Sequence, residues 1–266
     1  MEVSGASPPE GGSTAGGGQG GTLGPPEGGS QETSGGTGAW RRRAQILGWT
    51  LIWTGIFIFG YLAWQVWGTD LLNSRVQAEA AESLDATLDD ARRRLPPIID
   101  VEVDEAVTVE LFPEEAPAEG TALGTLRIPS LGLEVVMFEG VDTETLQSGP
   151  GHMPGTAFPG QPGNAVISGH RTTYGRPFFD FDLLVPGERI EIETAIGAHV
   201  YEVRESFVVE PTDVWVTEDK PGGWLTFTTC HPKFSARERL IVTAQLVEGP
   251  NLEYVEVLEE RMRQLN

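Results

Sequence analysis

The single cysteine of the chain, Cys230, ends a β-like run and has arginines close behind it. The stretch WLTFTTCHPKFSARERLIV, residues 224–242, sets Arg237 and Arg239 between two apolar, β-branched runs. A cysteine that attacks an acyl carbon needs a partner that handles the proton and donors that stabilise the oxyanion. Arginine is a permanently charged, multi-donor group suited to the second task. The pattern does not choose between the two arginines, and an inert buried thiol remains the alternative to a nucleophile.

The chain has four histidines, and each is a candidate for the proton-handling partner. His170 closes the apolar run NAVISGH where a strand passes into a loop, and such rims place side chains in clefts. His199 falls within the alternating run AHVYEV and is expected to be a half-exposed strand residue. His231 adjoins the cysteine, and neighbouring strand residues point to opposite faces. His152 lies in a turn-rich segment that assigns it no role, so His170 is the preferred partner.

Residues 44–69 form an apolar run without a charged side chain. As a helix the run would extend ~39 Å, more than the ~30 Å hydrocarbon core of a bilayer. Arg41–Arg43 precede it and Asp70 follows it, so the positive-inside rule predicts a cytoplasmic N-terminus. We therefore predict a single-pass membrane anchor. The alternatives are a buried core helix and a cleaved signal peptide, although the Ala-x-Ala pattern at 78–80 lies well beyond the run.

Changes of composition divide the chain into five predicted segments. The first is rich in glycine and poor in large apolar residues, which is typical of disorder. Apolar residues at four-residue intervals predict a helix over 70–95, and an extended linker with one short strand is expected over 98–119. The segments are a disordered cytoplasmic tail (1–40), a basic flank and transmembrane helix (41–69), a helical stalk and acidic linker (70–119), a β-rich domain (120–249) and a C-terminal tail with helical character (250–266).

The β-rich domain consists of short, β-branched runs separated by turns that contain glycine and proline. This texture predicts an all-β fold, a closed or nearly closed antiparallel barrel or sandwich, with a short helix or turn at 178–184. The formal net charge of −21 argues against a nucleic-acid partner. No phosphate loop or dinucleotide fingerprint occurs, and one cysteine with scattered histidines lacks metal-ligand spacing. We therefore expect neither a cofactor nor a metal.

Three blocks of the sequence together resemble the sortase family, and most of all the class E sortases of high-GC Gram-positive bacteria. The resemblance covers residues 120–248, about half of the chain. Phe227 replaces the usual leucine of the family's TLxTC motif, and no Asp-Pro-aromatic lid motif of pilus-building sortases precedes the blocks. The blocks are LRIPSLGL, GPGHMPGTAFPGQPGNAVISGHRTTYGRPFFDFDLL and TFTTCHPKFSARERLIV.

The resemblance implies a sortase-type closed β-barrel with short helices and the activity of a cysteine transpeptidase. By motif position Cys230 matches the family's nucleophile and His170 its catalytic histidine. Arg239 matches the family's arginine, because it stands directly before the strand LIV. Thr229 matches a threonine that assists at the oxyanion. Tyr174 lies in a segment that has been linked to the choice of sorting signal in class E enzymes.

A sortase would cleave a C-terminal sorting signal of the LAxTG or LPxTG type between Thr and Gly through a thioester. It would then attach the protein to a cell-wall amine. The expected partners are secreted proteins with a C-terminal sorting signal, a peptidoglycan precursor amine and the lipid bilayer around residues 44–69. The expected location is the cell membrane, with the catalytic domain outside. The alternatives are a cysteine peptidase that passes the acyl group to water and a membrane-tethered binding module without enzyme activity.

Overall fold

The computed structural model describes residues 36–64, 68–104 and 107–265. The predicted disordered tail, 1–40, lies outside the described residues except for its last part, which begins helix α1. Residues 65–67 of the predicted membrane segment also lie outside them. Helix α1 spans Gly36–Ala63. Its stretch Gly38–Ala63 is long and apolar enough to cross a membrane, and none of it is buried.

Helix α2, Thr69–Arg94, occupies the segment for which a helix was predicted and ends just before two prolines. The helix lies on the β-domain, since Leu84 and Leu88 are buried against Val136 and Phe138. Burial of the two leucines contributes about 1.5–3 kcal/mol each relative to exposure. The stalk is therefore a packed part of the domain.

The acidic linker contains a β-hairpin where one short strand was predicted. Strands β1, Ile99–Asp104, and β2, Val107–Leu111, pair antiparallel. The prediction was wrong because acidic residues alternate with apolar ones here, so one face is apolar and Val109 is buried. The chain leaving β2 is then fastened by Asn251, whose Oδ1 accepts from the Phe112 N–H at 2.8 Å and whose Nδ2 donates to the Phe112 carbonyl at 3.0 Å.

Eight strands form a closed barrel in the order β10-β8-β7-β3-β4-β5-β6-β9, which confirms the predicted barrel. The prediction of an antiparallel barrel was incomplete, because β4 runs parallel to β5 and β6 runs parallel to β9. The hairpin β7–β8 carries the chain across the barrel between β6 and β9, and such a crossover is what parallel pairing requires. The strands are β3 (Ala122–Ile128), β4 (Leu133–Glu139), β5 (Gly151–His152), β6 (Gly163–Ser168), β7 (Arg189–Thr194), β8 (Gly197–Val209), β9 (Gly223–His231) and β10 (Glu238–Glu248).

Short helices complete the domain. Helix α3, Thr143–Ser148, is capped by Asp142, whose carboxylate accepts from the N–H groups of Glu144 and Thr145. A 3-10 turn at Phe181–Leu183 lies in the segment predicted to be a short helix or turn. Helix α4, Leu252–Leu265, occupies the C-terminal tail for which helical character was predicted.

The core is sealed under the ends of β6 and β9 by three fully buried phenylalanines. The rings of Phe178 and Phe181 stack at 4.0 Å between centroids, and both meet the Phe227 ring edge-on, at 5.5 Å and 5.2 Å. Edge-to-face and offset stacks of this kind are the arrangements that aromatic rings favour. A phenylalanine at 227, where the family motif has leucine, therefore completes an aromatic cluster.

His199 is fully buried, so the expectation of a half-exposed strand residue was wrong. Its Nε2 lies 3.1 Å from the Thr194 hydroxyl, and burial lowers its pKa to about 4. The backbone of Gly160 covers the ring in the left-handed region, at φ +82°, and a Cβ there would lie 2.1 Å from it. Alternation along one strand does not reveal a loop that packs over that strand from elsewhere in the chain.

Candidate active site

The parallel pair β6–β9 brings His170 and Cys230 to the same end of the barrel. Ser168 is paired with Thr228, and the Gly169 N–H donates to the Thr228 carbonyl at 3.2 Å, one step beyond the assigned strand. If the register is continued by two residues past Ser168 and Thr228, His170 lies beside Cys230. Both residues are half-buried.

Arg239 lies on β10, which flanks β9 on the side opposite to β6. The two residues are register partners in the antiparallel pair β9–β10. Side chains of such partners leave the sheet on the same face, with Cβ atoms about 5 Å apart. Arg237 precedes β10, is exposed, and contacts the carboxylate of Glu238 at 3.1 Å. The geometry therefore distinguishes the two arginines that the sequence pattern left equal, and Arg239 is the one beside the thiol.

His170 is covered on one side by Tyr174. The two ring centroids are 5.0 Å apart and the rings are tilted by 37°. Burial disfavours the imidazolium and lowers the pKa of His170 from its ordinary value. The histidine is therefore neutral at pH 7 and able to accept a proton.

Thr229 is not on the thiol face. The side chain is buried and its hydroxyl donates to the Gly169 carbonyl at 2.7 Å. Adjacent strand residues alternate between faces, so Thr229 points to the interior while Cys230 points outward. The arrangement gives Thr229 the task of tying the end of β6 to β9, and its hydroxyl proton is already engaged in that bond.

Arg171 is the site residue to which sequence reasoning assigned no role. Its side chain is 2% exposed, and its Nη2 forms an ion pair with Asp182 at 2.9 Å. Its Nη1 donates to the Cys230 carbonyl at 3.2 Å and lies 2.9 Å from the His231 Nδ1. A buried guanidinium satisfied on several sides fixes the backbone of the cysteine. The sequence did contain a signal for this role. Arg171 follows His170 at the end of a strand, and adjacent strand residues point to opposite faces of the sheet.

The site thus aligns His170, just past the end of β6, with Cys230 on β9 and Arg239 on β10. The Nη1 of Arg239 donates to the carbonyls of Ala236 and Glu238 at 3.0 Å each. This set can perform acyl transfer: the thiol attacks, the imidazole moves the proton, and the guanidinium donates to the developing oxyanion. Within the described ranges 36–64, 68–104 and 107–265, no group of three or more His, Cys, Asp or Glu side chains is arranged to hold a metal ion.

Replacing Arg239 with alanine is expected to lower kcat for acyl transfer by about 10²–10³-fold with little change in KM, because the guanidinium available to donate to a developing oxyanion is removed. The matched control is Arg237→Ala, which should stay within about twofold of the parent because Arg237 is exposed and outside this alignment. Steady-state kinetics of both variants measure the difference. Equal losses in the two variants would contradict the assignment.

The pH dependence of kcat/KM should show the lowered pKa of His170. The neutral imidazole is the form that accepts the thiol proton, so activity is lost only as the pH falls through the pKa of His170. Because burial lowers that pKa, the rising limb of the profile should have its midpoint below the ordinary histidine value of 6.5. His231→Gln should leave the midpoint in place. A midpoint above 6.5 in the parent would rule out His170 as the group that titrates.

Comparison with known proteins yields clear relatives. A family model described as Sortase domain matches residues 126–247. The chain is 30% identical over 223 residues to sortase E1 of Streptomyces coelicolor, covering 77% of this chain and 57% of the relative. It is 34% identical to the solved sortase E of Streptomyces avermitilis, covering 51% of this chain and 94% of that one, with a TM-score of 0.46. A solved sortase D5 transpeptidase of Clostridium perfringens is 26% identical, covering 66% of this chain and 98% of that one, with a TM-score of 0.52.

The matched region contains the elements that build the site. It runs from β3 into β10 and so includes β6, β9 and the loops that follow them. The chain spans 57% of the length of the Streptomyces coelicolor relative, so the likeness concerns the barrel and its flanks. The matched region, the closed barrel and the 30% identity to sortase E1 of Streptomyces coelicolor agree. The chain belongs to the sortase family.

Proposed function

We propose that this chain is a membrane-anchored cysteine transpeptidase that cleaves a C-terminal LAxTG- or LPxTG-type sorting signal between Thr and Gly. The observation that carries the proposal is the alignment of His170, just past the end of β6, with Cys230 on β9 and Arg239 on β10. Sortase family membership supports the same chemistry. The outward position of the half-buried thiol supports a substrate that approaches along the barrel surface.

The first half-reaction forms a thioester. The Cys230 sulfur attacks the carbonyl carbon of the signal's threonine, and His170 accepts the thiol proton. The tetrahedral oxyanion receives hydrogen bonds from Arg239. As the C–N bond to glycine breaks, His170 passes its proton to the leaving amine, and the acyl group remains on sulfur. The lowered pKa of His170 makes the imidazolium a strong enough acid for this step.

The second half-reaction transfers the acyl group to an amine of a peptidoglycan precursor. The amine attacks the thioester carbon, gives its proton to His170, and the Cys230 sulfur leaves. A membrane-bound enzyme and a lipid-linked acceptor share one surface, which raises their effective concentration without further contacts. The secreted proteins that carry the sorting signal are the acyl donors.

The topology that suits this reaction puts the barrel outside the cell. Helix α1 is the candidate anchor, and Arg41–Arg43 near its start favour a cytoplasmic N-terminus. Everything after the anchor, including Cys230, would then face the cell wall.

A membrane-impermeant maleimide should label Cys230 on intact cells, because the chain has one cysteine and it is half-buried on the outward side. The Cys230→Ala chain, which has no thiol, gives the background. Labelling that appears only after the cells are broken open would place the barrel in the cytoplasm and contradict the topology.

The activity itself is tested with the full chain in detergent micelles. The chain is incubated with LAxTG and LPxTG peptides plus a glycine-based amine, and the products are identified by mass spectrometry. Ligated product, absent with Cys230→Ala, is expected, and the two peptide rates rank the signals.

The other outcomes identify the alternative functions. Cleavage without ligation at saturating amine would favour a cysteine peptidase. No cleavage, together with a Cys230 that resists thiol reagents in the folded chain, would favour a binding module.

A further inference from the structure

The first turn of α2 contacts the loop that follows His170. The contact is made by Asp70, which comes shortly after the candidate membrane span. One carboxylate oxygen, Oδ1, accepts from the Gly175 N–H at 3.0 Å, and the other, Oδ2, pairs with the Arg176 Nε at 3.1 Å. The carboxylate thus contacts the backbone and a side chain of two consecutive loop residues, and a charged acceptor makes both bonds stronger than neutral ones.

The loop at this point has an uncommon backbone. Tyr174, Gly175 and Arg176 all have φ in the left-handed region, at +51°, +77° and +51°. For a residue with a side chain this region costs about 1–2 kcal/mol, so it persists where surrounding contacts impose it. The two bonds from Asp70 fall on the second and third of the three residues. The carboxylate therefore holds the turn in a conformation that the loop would not favour by itself.

The neighbouring turn of α2 supports the same contact. Asn73 is 8% exposed, and its Nδ2 donates to the carbonyls of Gln147 and Ser148 at 2.9 Å each. A Cβ built on Gly175 would lie 2.1 Å from the Asn73 Oδ1, so the loop backbone approaches the helix as closely as glycine allows. Since Asn73 is bonded to the end of helix α3, this turn of α2 is held in place beside the loop.

The first residue of the strained turn is the one that contacts the proposed catalytic histidine. The centroids of the Tyr174 and His170 rings are 5.0 Å apart. The two residues bonded to Asp70, Gly175 and Arg176, directly follow Tyr174 in the chain. A displacement on the order of 1 Å at a reacting group can cost up to 10²-fold in rate. A contact that holds the turn in place therefore also holds the Tyr174 ring beside His170.

We propose that Asp70 is a positioning residue for the reaction: through Gly175 and Arg176 it holds Tyr174 against His170. The inference rests on the proposed function, in which His170 moves the protons. It links the membrane-proximal end of α2 to the chemical step. Asp70 also lies where a carboxylate stabilises the start of a helix, so a loss of stability alone would not distinguish the two roles.

The test compares Asp70→Ala and Asp70→Asn with the parent, as full chains in the same micelles. Asp70→Ala is expected to lower kcat for ligation about tenfold while KM changes less than about twofold. Asp70→Asn keeps an acceptor for the Gly175 N–H, so its kcat should lie between those of the parent and of Asp70→Ala. The matched control is Asp89→Ala, because Asp89 lies on the same helix and pairs with Arg92 one turn away at 2.9 Å. Asp89→Ala should match the parent in both constants.

A double-variant cycle separates positioning from helix docking. If Asp70 acts through Tyr174, adding Asp70→Ala to Tyr174→Ala should cost less than about twofold beyond Tyr174→Ala alone. An undiminished tenfold cost in that background would overturn the proposal. Equal kcat for Asp70→Ala and the parent would do so as well.

A second readout does not depend on turnover. Diethyl pyrocarbonate should modify His170 several times faster in Asp70→Ala than in the parent, as measured by peptide mass spectrometry, because the Tyr174 ring is released. His152 and His199, which are 1% and 0% exposed, report whether the fold is intact. An inactive parent would refute the proposed function, and the modification rates would then decide the Asp70 contact on their own. Equal rates at His170 in both chains would refute the contact's role.

Discussion

Register between parallel strands is the constraint that creates this site. Residues of β6 and β9 are far apart in the chain, yet their ladder from Gly163 and Gly223 onward leaves one alignment for the residues that follow it. The Thr229 hydroxyl and the Gly169 N–H extend that alignment past the end of the strand. A slip of one residue would send either His170 or Cys230 to the wrong face of the sheet. The interior bonds of the barrel therefore determine which groups meet at its surface.

Around this alignment the protein uses adjacent residues for opposite tasks. His170 serves the outer face, while Arg171 is buried and secures the Cys230 carbonyl and Asp182. In the same way Cys230 faces out and Thr229 faces in. A buried guanidinium is costly to desolvate unless its donors are satisfied, and here an ion pair and a backbone carbonyl both take part. Each of the dipeptides His170-Arg171 and Thr229-Cys230 thus supplies one group at the site and one buried group that supports it.

Much of this arrangement could be predicted because it follows from local pattern. Helix α2 has a clear period, β9 and β10 are β-branched runs, and the end of NAVISGH identified His170. The choice between Arg237 and Arg239 depended on the β9–β10 register, which no single segment contains. The burial of His199 under Gly160 depends on a segment distant in sequence. The hairpin in the linker is local, and its alternating pattern was taken for one strand instead of two. The buried contacts of Thr229 and Arg171 depend on the meeting of the β6 and β9 ends, which neither segment contains alone.

The bonds of Asn251 bear on how this fold can be cut or fused. Its Nδ2 joins the Gly160 carbonyl to the Phe112 carbonyl, so one fully buried amide connects the loop before β6, the linker before β3 and the start of α4. Helix α2 is likewise packed on β4 through Leu84 and Leu88. The smallest part of the chain that keeps these contacts is therefore larger than the eight strands of the barrel. A recombination event or an expression boundary that keeps the barrel and discards either flank would leave buried polar groups without partners.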